Sequence, residues 1–163
     1  MRGYLSLGSN LGDRSAYLIH ALDALVSGGV RIIQTSSVYE TRPVEVVDTQ
    51  RNYYNLAVCM ETHLSPHDLL SLCNAVENDL ERERPYVHSP RTIDIDIILL
   101  EGITISTHRL RVPHPGMENR SFVILPLAEI APDIVLPSGR PILNVKKALG
   151  DDEVVKTWKL NYG

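Results

Sequence analysis

The run Ile93-Asp94-Ile95-Asp96-Ile97 constrains this chain more than any other five residues in it. Strict alternation of a β-branched apolar residue with a carboxylate fits a strand, because successive side chains of an extended backbone point to opposite faces. One face then carries three isoleucines and has to be covered. The other carries two acids about 7 Å apart, from a rise of ~3.3 Å per residue. Like charges so placed repel unless water or a cation neutralises them. Oxygen donors with no His or Cys beside them suit Mg²⁺, which ordinarily enters with substrate phosphates and keeps some of its waters. A bare Asp-x-Asp on a strand is more often a solvated face, so the rest of the chain has to decide.

The other periodicities say what joins this strand. Tyr4-Leu5-Ser6-Leu7 reads as a first strand running into Gly8-Ser9-Asn10-Leu11-Gly12, whose glycines are expected to form a tight turn. Asp13 can cap a helix with apolar positions Leu18, Ala21, Leu22 and Leu25, which Gly28-Gly29 stops. Residues 30–39 read as a second strand, 41–52 as a loop, and 53–62, with Leu56, Val58 and Met60 alternating, as a third strand. Ser65-Pro66-His67-Asp68 opens a second helix, with Ser as cap and Pro in the first turn; Leu69, Leu72, Cys73, Val76 and Leu80 make its stripe. Pro85 and Pro90 bound a non-helical loop, 93–100 is the fourth strand, and Pro113-His114-Pro115-Gly116 is a stiff loop. A shorter helix is expected over 121–130 in spite of Pro126, followed by a tail that is acidic, then basic. The order strand, helix, strand, strand, helix, strand is the split βαβ or ferredoxin-like arrangement. It predicts an α+β fold: an antiparallel sheet with helices on one face and C-terminal additions over the other, three layers in α/β/α order.

Length and composition narrow the function. The 163 residues suit one domain spanning 1–163, and 44% hydrophobic with 22% charged residues suits a globular chain with a real core. The start lacks the apolar stretch of a signal peptide, and no run approaches the roughly 18 residues of a membrane span. Cys59 and Cys73 sit inside predicted elements without CxxC spacing, so both are expected to be reduced core residues in a cytoplasmic setting. A net charge of −4 argues against nucleic-acid binding. The cations nonetheless concentrate: residues 82–120 hold six Arg against five acids, and no lysine precedes Lys146. Guanidinium groups have the planar fork that suits phosphate oxygens. Arg82, Arg84 and Arg91 precede the acidic strand; Arg109, Arg111 and Arg120 follow it. ATP with its metal needs both signs together. His114, between two prolines, is held as a phosphate contact would be. There is no P-loop, since Gly8 to Gly12 lacks a following Lys-Ser/Thr, and no GxGxxG.

Seven segments carry more than composition does: Leu7-Gly8-Ser9-Asn10-Leu11-Gly12, Ser37-Val38-Tyr39-Glu40-Thr41, Tyr53-Tyr54-Asn55, Arg82-Glu83-Arg84, Pro90-Arg91-Thr92-Ile93-Asp94-Ile95-Asp96, Val112-Pro113-His114 and Glu118-Asn119-Arg120-Ser121-Phe122. In this order they resemble the 6-hydroxymethyl-7,8-dihydropterin pyrophosphokinase family, over residues 4 to about 140. The resemblance implies diphosphate transfer from ATP to the hydroxymethyl group of 6-hydroxymethyl-7,8-dihydropterin, with release of AMP, in folate biosynthesis. It implies that Asp94 and Asp96 bind two Mg²⁺, and that Arg82 and Arg91 act with them in catalysis. Arg82, Arg84, Arg91, Arg109, His114 and Arg120 would contact ATP, with Arg84 in a mobile loop. Thr41, Tyr53, Asn55 and Phe122 match pterin-pocket positions, and Glu77 an acidic helix position near the sites. The chain departs from the family's usual pattern at Pro85 (often Lys), Val87 (often Arg), His88 (often Trp) and Arg111 (often Thr), and its loop is one residue shorter. Residues 83–90 are expected to close over ATP as a lid whose travel Pro85 and Pro90 limit. Neither nucleic acid nor membrane is an expected partner, and a monomer is expected. Two rivals share the topology. An RNA-recognition module predicts alternate aromatics on the third strand, where Leu56, Val58 and Met60 stand. A catalytically silent small-ligand domain would leave Asp94 and Asp96 without a purpose.

Overall fold

The structure, a computed structural model, describes residues 1–43, 51–81 and 92–162. Its core follows the expected order: β1 (Arg2–Ser9), α1 (Arg14–Ser27), β2 (Val30–Thr35), β3 (Val38–Thr41), β4 (Tyr53–Thr62), α2 (Pro66–Leu80) and β5 (Asp94–Leu100). A hairpin of β6 (Ile105–Ser106) and β7 (Arg111–Val112) follows, then α3 (Ser121–Ile130), α4 (Ile142–Leu149) and β8 (Val154–Trp158). The main sheet runs β5-β1-β4-β3-β8 with β2 also beside β4, and each of its strand pairs is antiparallel. This is the ferredoxin-like α+β arrangement.

Local chemistry explains the helix ends. Asp13 accepts a hydrogen bond from the Ala16 amide at 3.0 Å and Ser65 from the Asp68 amide at 3.1 Å, each satisfying a donor the first turn leaves open. Pro66 sits in the first turn of α2, where its missing N–H is no loss. Within α3, Pro126 cannot donate to the carbonyl four residues back. The helix persists because Val123, Ile124, Leu125, Leu127 and Ala128 are all buried around it.

The sheet divides two apolar layers. Leu5, Leu7, Leu56, Val58, Met60, Ile95 and Ile97 pack with Leu18, Leu22 and Leu25 of α1 and Leu69, Cys73 and Val76 of α2. Ile93, buried just before β5, joins them, so the three isoleucines do share a face. On the opposite face Tyr4, Ala57, Cys59 and Ile98 pack with Val123, Ile124, Leu127 and Ala128 of α3 and Ile142 and Val145 of α4. The C-terminal helices therefore supply the third layer, and β8 extends the sheet at β3.

Two expectations need correction. The single second strand over 30–39 is two strands, broken at Ser36-Ser37. The break leaves no orphan: the Ser36 amide bonds the Ala57 carbonyl at 2.9 Å, and the Ser36 hydroxyl accepts from the Ala57 amide at 2.9 Å. Gly8 is not in a turn but inside β1; Gly12, with φ 67°, is the left-handed residue. The tail, described above only by charge, forms α4 and β8. Cys59 and Cys73 are free and buried, as expected. No described helix is long and apolar enough to cross a membrane.

Candidate active site

The register of β1 between β4 and β5 decides which side chains meet. Ser6 lies opposite Asp96 and Ala57, and Gly8 opposite Asp94 and Asn55. Alternation turns this set to the face that α3 and α4 cover, but α3 begins only at Ser121, so one end of that face stays open. There a cavity of ≈220 Å³ is lined by Ser6, Gly8, Asp94, Asp96 and Asn55 from the sheet, Thr41 to Pro43 and Tyr53 from one side, and Arg120 and Phe122 from the other. It gathers both predicted metal ligands, all four predicted pocket residues and one predicted phosphate-binding arginine.

Asn55 is buried, and its amide nitrogen donates to Thr41 Oγ1 at 2.7 Å and to the Tyr39 carbonyl at 3.3 Å. Its Oδ1 faces Gly8, where an added Cβ would come within 3.3 Å of it and 3.7 Å of the Tyr53 ring. A glycine therefore keeps the floor of the slot flat. The Arg120 guanidinium stands 5.8 Å from the centre of the Phe122 ring. Gly116 leaves it room, since a Cβ there would lie 3.1 Å from Arg120 Nε.

On the reverse side of β5, Glu77 of α2 accepts a hydrogen bond from the Ile95 amide at 2.9 Å, fixing the backbone between the two aspartates. Burial, then the charges of Glu77 and Asp96, push the Cys73 thiol up to about 12, so it stays protonated. His114 is tied into the sheet by its amide, which bonds the Ile98 carbonyl at 2.9 Å. Its Nδ1 accepts from the Gly116 amide at 3.1 Å, which leaves the proton on Nε2. Burial lowers the His114 pKa; the Asp96 charge opposes this and the Arg120 charge adds to it. The neutral ring is a donor beside the acidic strand.

Arg109 lies outside the cavity, exposed, with Nη2 3.5 Å from Ser71 Oγ on α2. Arg82, Arg84 and Arg91, with the whole expected lid of residues 83–90, lie outside the described residues. The sequence reading missed Ser6, Gly8, Arg42 and Pro43. Strand alternation could have found Ser6 and Gly8, which share a face, whereas nothing in the sequence marks Arg42 or Pro43.

The donor set at Asp94 and Asp96 fits a hard cation. Both side chains are carboxylates, and among the described residues no group of three His, Cys, Asp or Glu completes a site. A Mg²⁺ ion held there would need further ligands, which water and substrate phosphates ordinarily supply.

Hard oxygen donors, a guanidinium and a flat slot in one cavity of a ferredoxin-like sheet suit an enzyme that handles phosphorylated substrates beside a planar ring. Residues 4–132 match the sequence profile of the family described as 7,8-dihydro-6-hydroxymethylpterin-pyrophosphokinase (HPPK). The chain is 44% identical over 137 residues to the 2-amino-4-hydroxy-6-hydroxymethyldihydropteridine pyrophosphokinase of Methylorubrum extorquens, covering 83% of this chain and 85% of that one. It is 41% identical over 161 residues to the enzyme of that name from Bacillus subtilis, covering 98% and 92%. Among solved structures, Plasmodium falciparum HPPK-DHPS with SDX-DHP superposes with a TM-score of 0.65 at 17% identity, over 90% of this chain and 43% of that one. At that identity the likeness is one of fold. The chain belongs to the HPPK family.

Proposed function

We propose that this chain transfers the diphosphate of ATP to the hydroxymethyl group of 6-hydroxymethyl-7,8-dihydropterin, releasing AMP, as a step of folate biosynthesis. The observation that carries this is the single cavity holding Asp94 and Asp96 next to the Asn55, Thr41, Tyr53 and Phe122 slot. It brings the donors for a metal-bound diphosphate within reach of a bound planar ring.

The slot residues orient the acceptor. Because Thr41 and the Tyr39 carbonyl occupy the Asn55 amide nitrogen, Oδ1 is left to accept from the N–H edge of a pterin. Phe122 and Tyr53 supply faces for stacking. Asp94 and Asp96 would hold Mg²⁺, two ions in our reading. When bound, the cation screens the phosphate oxygens and stabilises charge that develops on the transferred group. Arg120, above Phe122, sits where the slot meets the acidic strand and can hold the diphosphate as it passes from one substrate to the other. His114 donates from Nε2 to a phosphate oxygen. Arg109, which bonds α2, contacts the nucleotide from outside the cavity. We assign Arg82 and Arg91 to catalysis and Arg84 to ATP binding on the family resemblance. The substrate alcohol attacks the β-phosphorus in line and AMP leaves, with no covalent enzyme intermediate.

We read the chain as one pyrophosphokinase domain acting as a monomer. A reducing cytoplasmic setting accords with two free buried thiols. Incubation with ATP, Mg²⁺ and 6-hydroxymethyl-7,8-dihydropterin should yield AMP and diphosphorylated pterin in equal amounts. ADP in place of AMP, or AMP formed without pterin, would overturn the proposal.

A further inference from the structure

Two walls of the cavity come from segments distant in sequence. One is the end of β3 and the residues after it, Thr41 to Pro43; the other is Arg120 and Phe122 at the start of α3. The short connection between α4 and β8 touches both. The Glu153 carbonyl accepts from the Arg42 amide at 3.0 Å, and the Asp152 carbonyl from the Arg42 guanidinium at 2.7 Å. The Glu153 carboxylate accepts from the Ser121 hydroxyl at 2.7 Å. Strand β8 then starts at once, with Val154 opposite Thr41.

The start of α3 needs such a tether. Arg120, at its N-cap, makes no side-chain capping bond, so no cap fixes where Phe122 points. The far end of α3 is held separately: Glu129 accepts from Tyr39 Oη at 2.7 Å and from the Ser37 amide at 2.7 Å. With both ends tied to β3 or its flanks, the helix cannot slide along the sheet without breaking a charge-assisted hydrogen bond.

We infer that Glu153 is a positioning residue for the ring-binding slot, its carboxylate fixing the Phe122 wall and its carbonyl the Thr41 to Pro43 wall at one separation. This rests on the reading that the slot takes a pterin. Loss of the carboxylate leaves the Ser121 hydroxyl unpaired and the separation loose, so ring affinity suffers, whereas Asp94 and Asp96, held on β5, are untouched.

The test compares Glu153→Ala, Glu153→Gln, Ser121→Ala and the Glu153→Ala/Ser121→Ala double variant by calorimetric titration with 6-hydroxymethyl-7,8-dihydropterin, by KM and kcat, and by Tm. Glu153→Ala should weaken pterin binding roughly 3- to 10-fold and raise the pterin KM to match, with saturated kcat within about twofold. Gln retains an acceptor and should restore most of the affinity. Ser121→Ala should show the same loss, and the double variant no further loss, because both remove one bond. Ser121→Ala deletes only a hydroxyl and decides the matter if Glu153→Ala does not fold. Unchanged affinity in the Ala variants, additive losses, or a Gln variant as weak as Ala would overturn the inference while the proposed function stands. Folded wild-type protein that binds no pterin would instead overturn the proposed function, and this inference with it.

Discussion

Gly8→Ala isolates the floor of the slot from the stability of the fold. Gly8 lies inside β1 and is not among the positive-φ glycines, so alanine can adopt its backbone conformation. Removing a glycine from a strand restricts the unfolded chain and stabilises by about 0.5–1 kcal/mol. Against this, the new methyl sits 3.3 Å from Asn55 Oδ1 and 3.7 Å from the Tyr53 ring. The first contact is tight, and Asn55 cannot retreat freely while its nitrogen is held at 2.7 Å by Thr41. Crowding of this size costs about as much as the glycine replacement contributes, so Tm should stay within about 3 °C of wild type. Ligand binding has no such compensation. The methyl stands between Oδ1 and the ring it would accept from, and loss of that bond amounts to about 1–3 kcal/mol, or roughly 5- to 150-fold in pterin Kd. Calorimetric titration beside a thermal melt reads both quantities. A Kd within about twofold of wild type at unchanged Tm would refute the placement of Asn55 Oδ1 against the ring. A Tm lower by ten degrees or so would show that the methyl damages the sheet rather than blocking the slot.

The remaining predictions concern charge. Asp94→Asn and Asp96→Asn should each lower turnover by at least about 100-fold while Tm holds or rises slightly, since each removes a metal ligand and half of a like-charge repulsion; near-normal turnover in both variants would remove the metal assignment. Arg120→Ala should lower kcat as well as kcat/KM, with Lys restoring only part, because a point charge cannot reproduce the planar fork; full activity of the Lys variant would refute the reasoning. Burial works to raise the Glu129 carboxyl, but hydrogen bonds from Tyr39 and Ser37, with the Lys159 charge, hold it below its ordinary 4.5. A depressed carboxylate stabilises the fold above that ordinary value and loses the contribution as pH falls through the folded pKa. Glu129→Gln should therefore melt below wild type at pH 7, with the gap closing under pH 4.5; a gap that stays constant with pH would exclude the carboxylate's charge as its source.

What could be read from the sequence was whatever repeats with a period or ends with a cap. The α1 stripe of Leu18, Ala21, Leu22 and Leu25 is buried as its spacing demands, and Asp13 and Ser65 cap as their positions suggested. The Ile-Asp alternation placed both carboxylates correctly because a strand allows no other arrangement. What escaped reading depends on contacts between distant residues. The split at Ser36 is invisible locally, since the hydroxyl that satisfies the Ala57 amide belongs to another strand. Strand β8 carries Val154, Val155 and Trp158 among charged residues, and only pairing with β3 makes it a strand. Gly8 looked like turn punctuation because glycine is the usual turn residue; its role at the slot floor appears only when Asn55 of a neighbouring strand is brought opposite it. Arg42 and Pro43 line the cavity in a loop without pattern.

The acidic strand shows how function and stability pull apart in this fold. Asp94 and Asp96 share a face, and Glu77 sits behind the backbone between them, bonded to the Ile95 amide. The charges of Glu77 and Asp96 also add to burial in raising the Cys73 thiol. Two like charges on one strand face contribute nothing to the stability of the sheet. The arrangement makes sense in the proposed reading, where a cation that arrives with the substrate phosphates would bind Asp94 and Asp96. The isoleucine layer then acts as a rigid mount, because Ile93, Ile95 and Ile97 are buried against α1 and α2 and cannot yield. A cation that Asp94 and Asp96 would hold therefore meets two carboxylates whose spacing the buried layer sets.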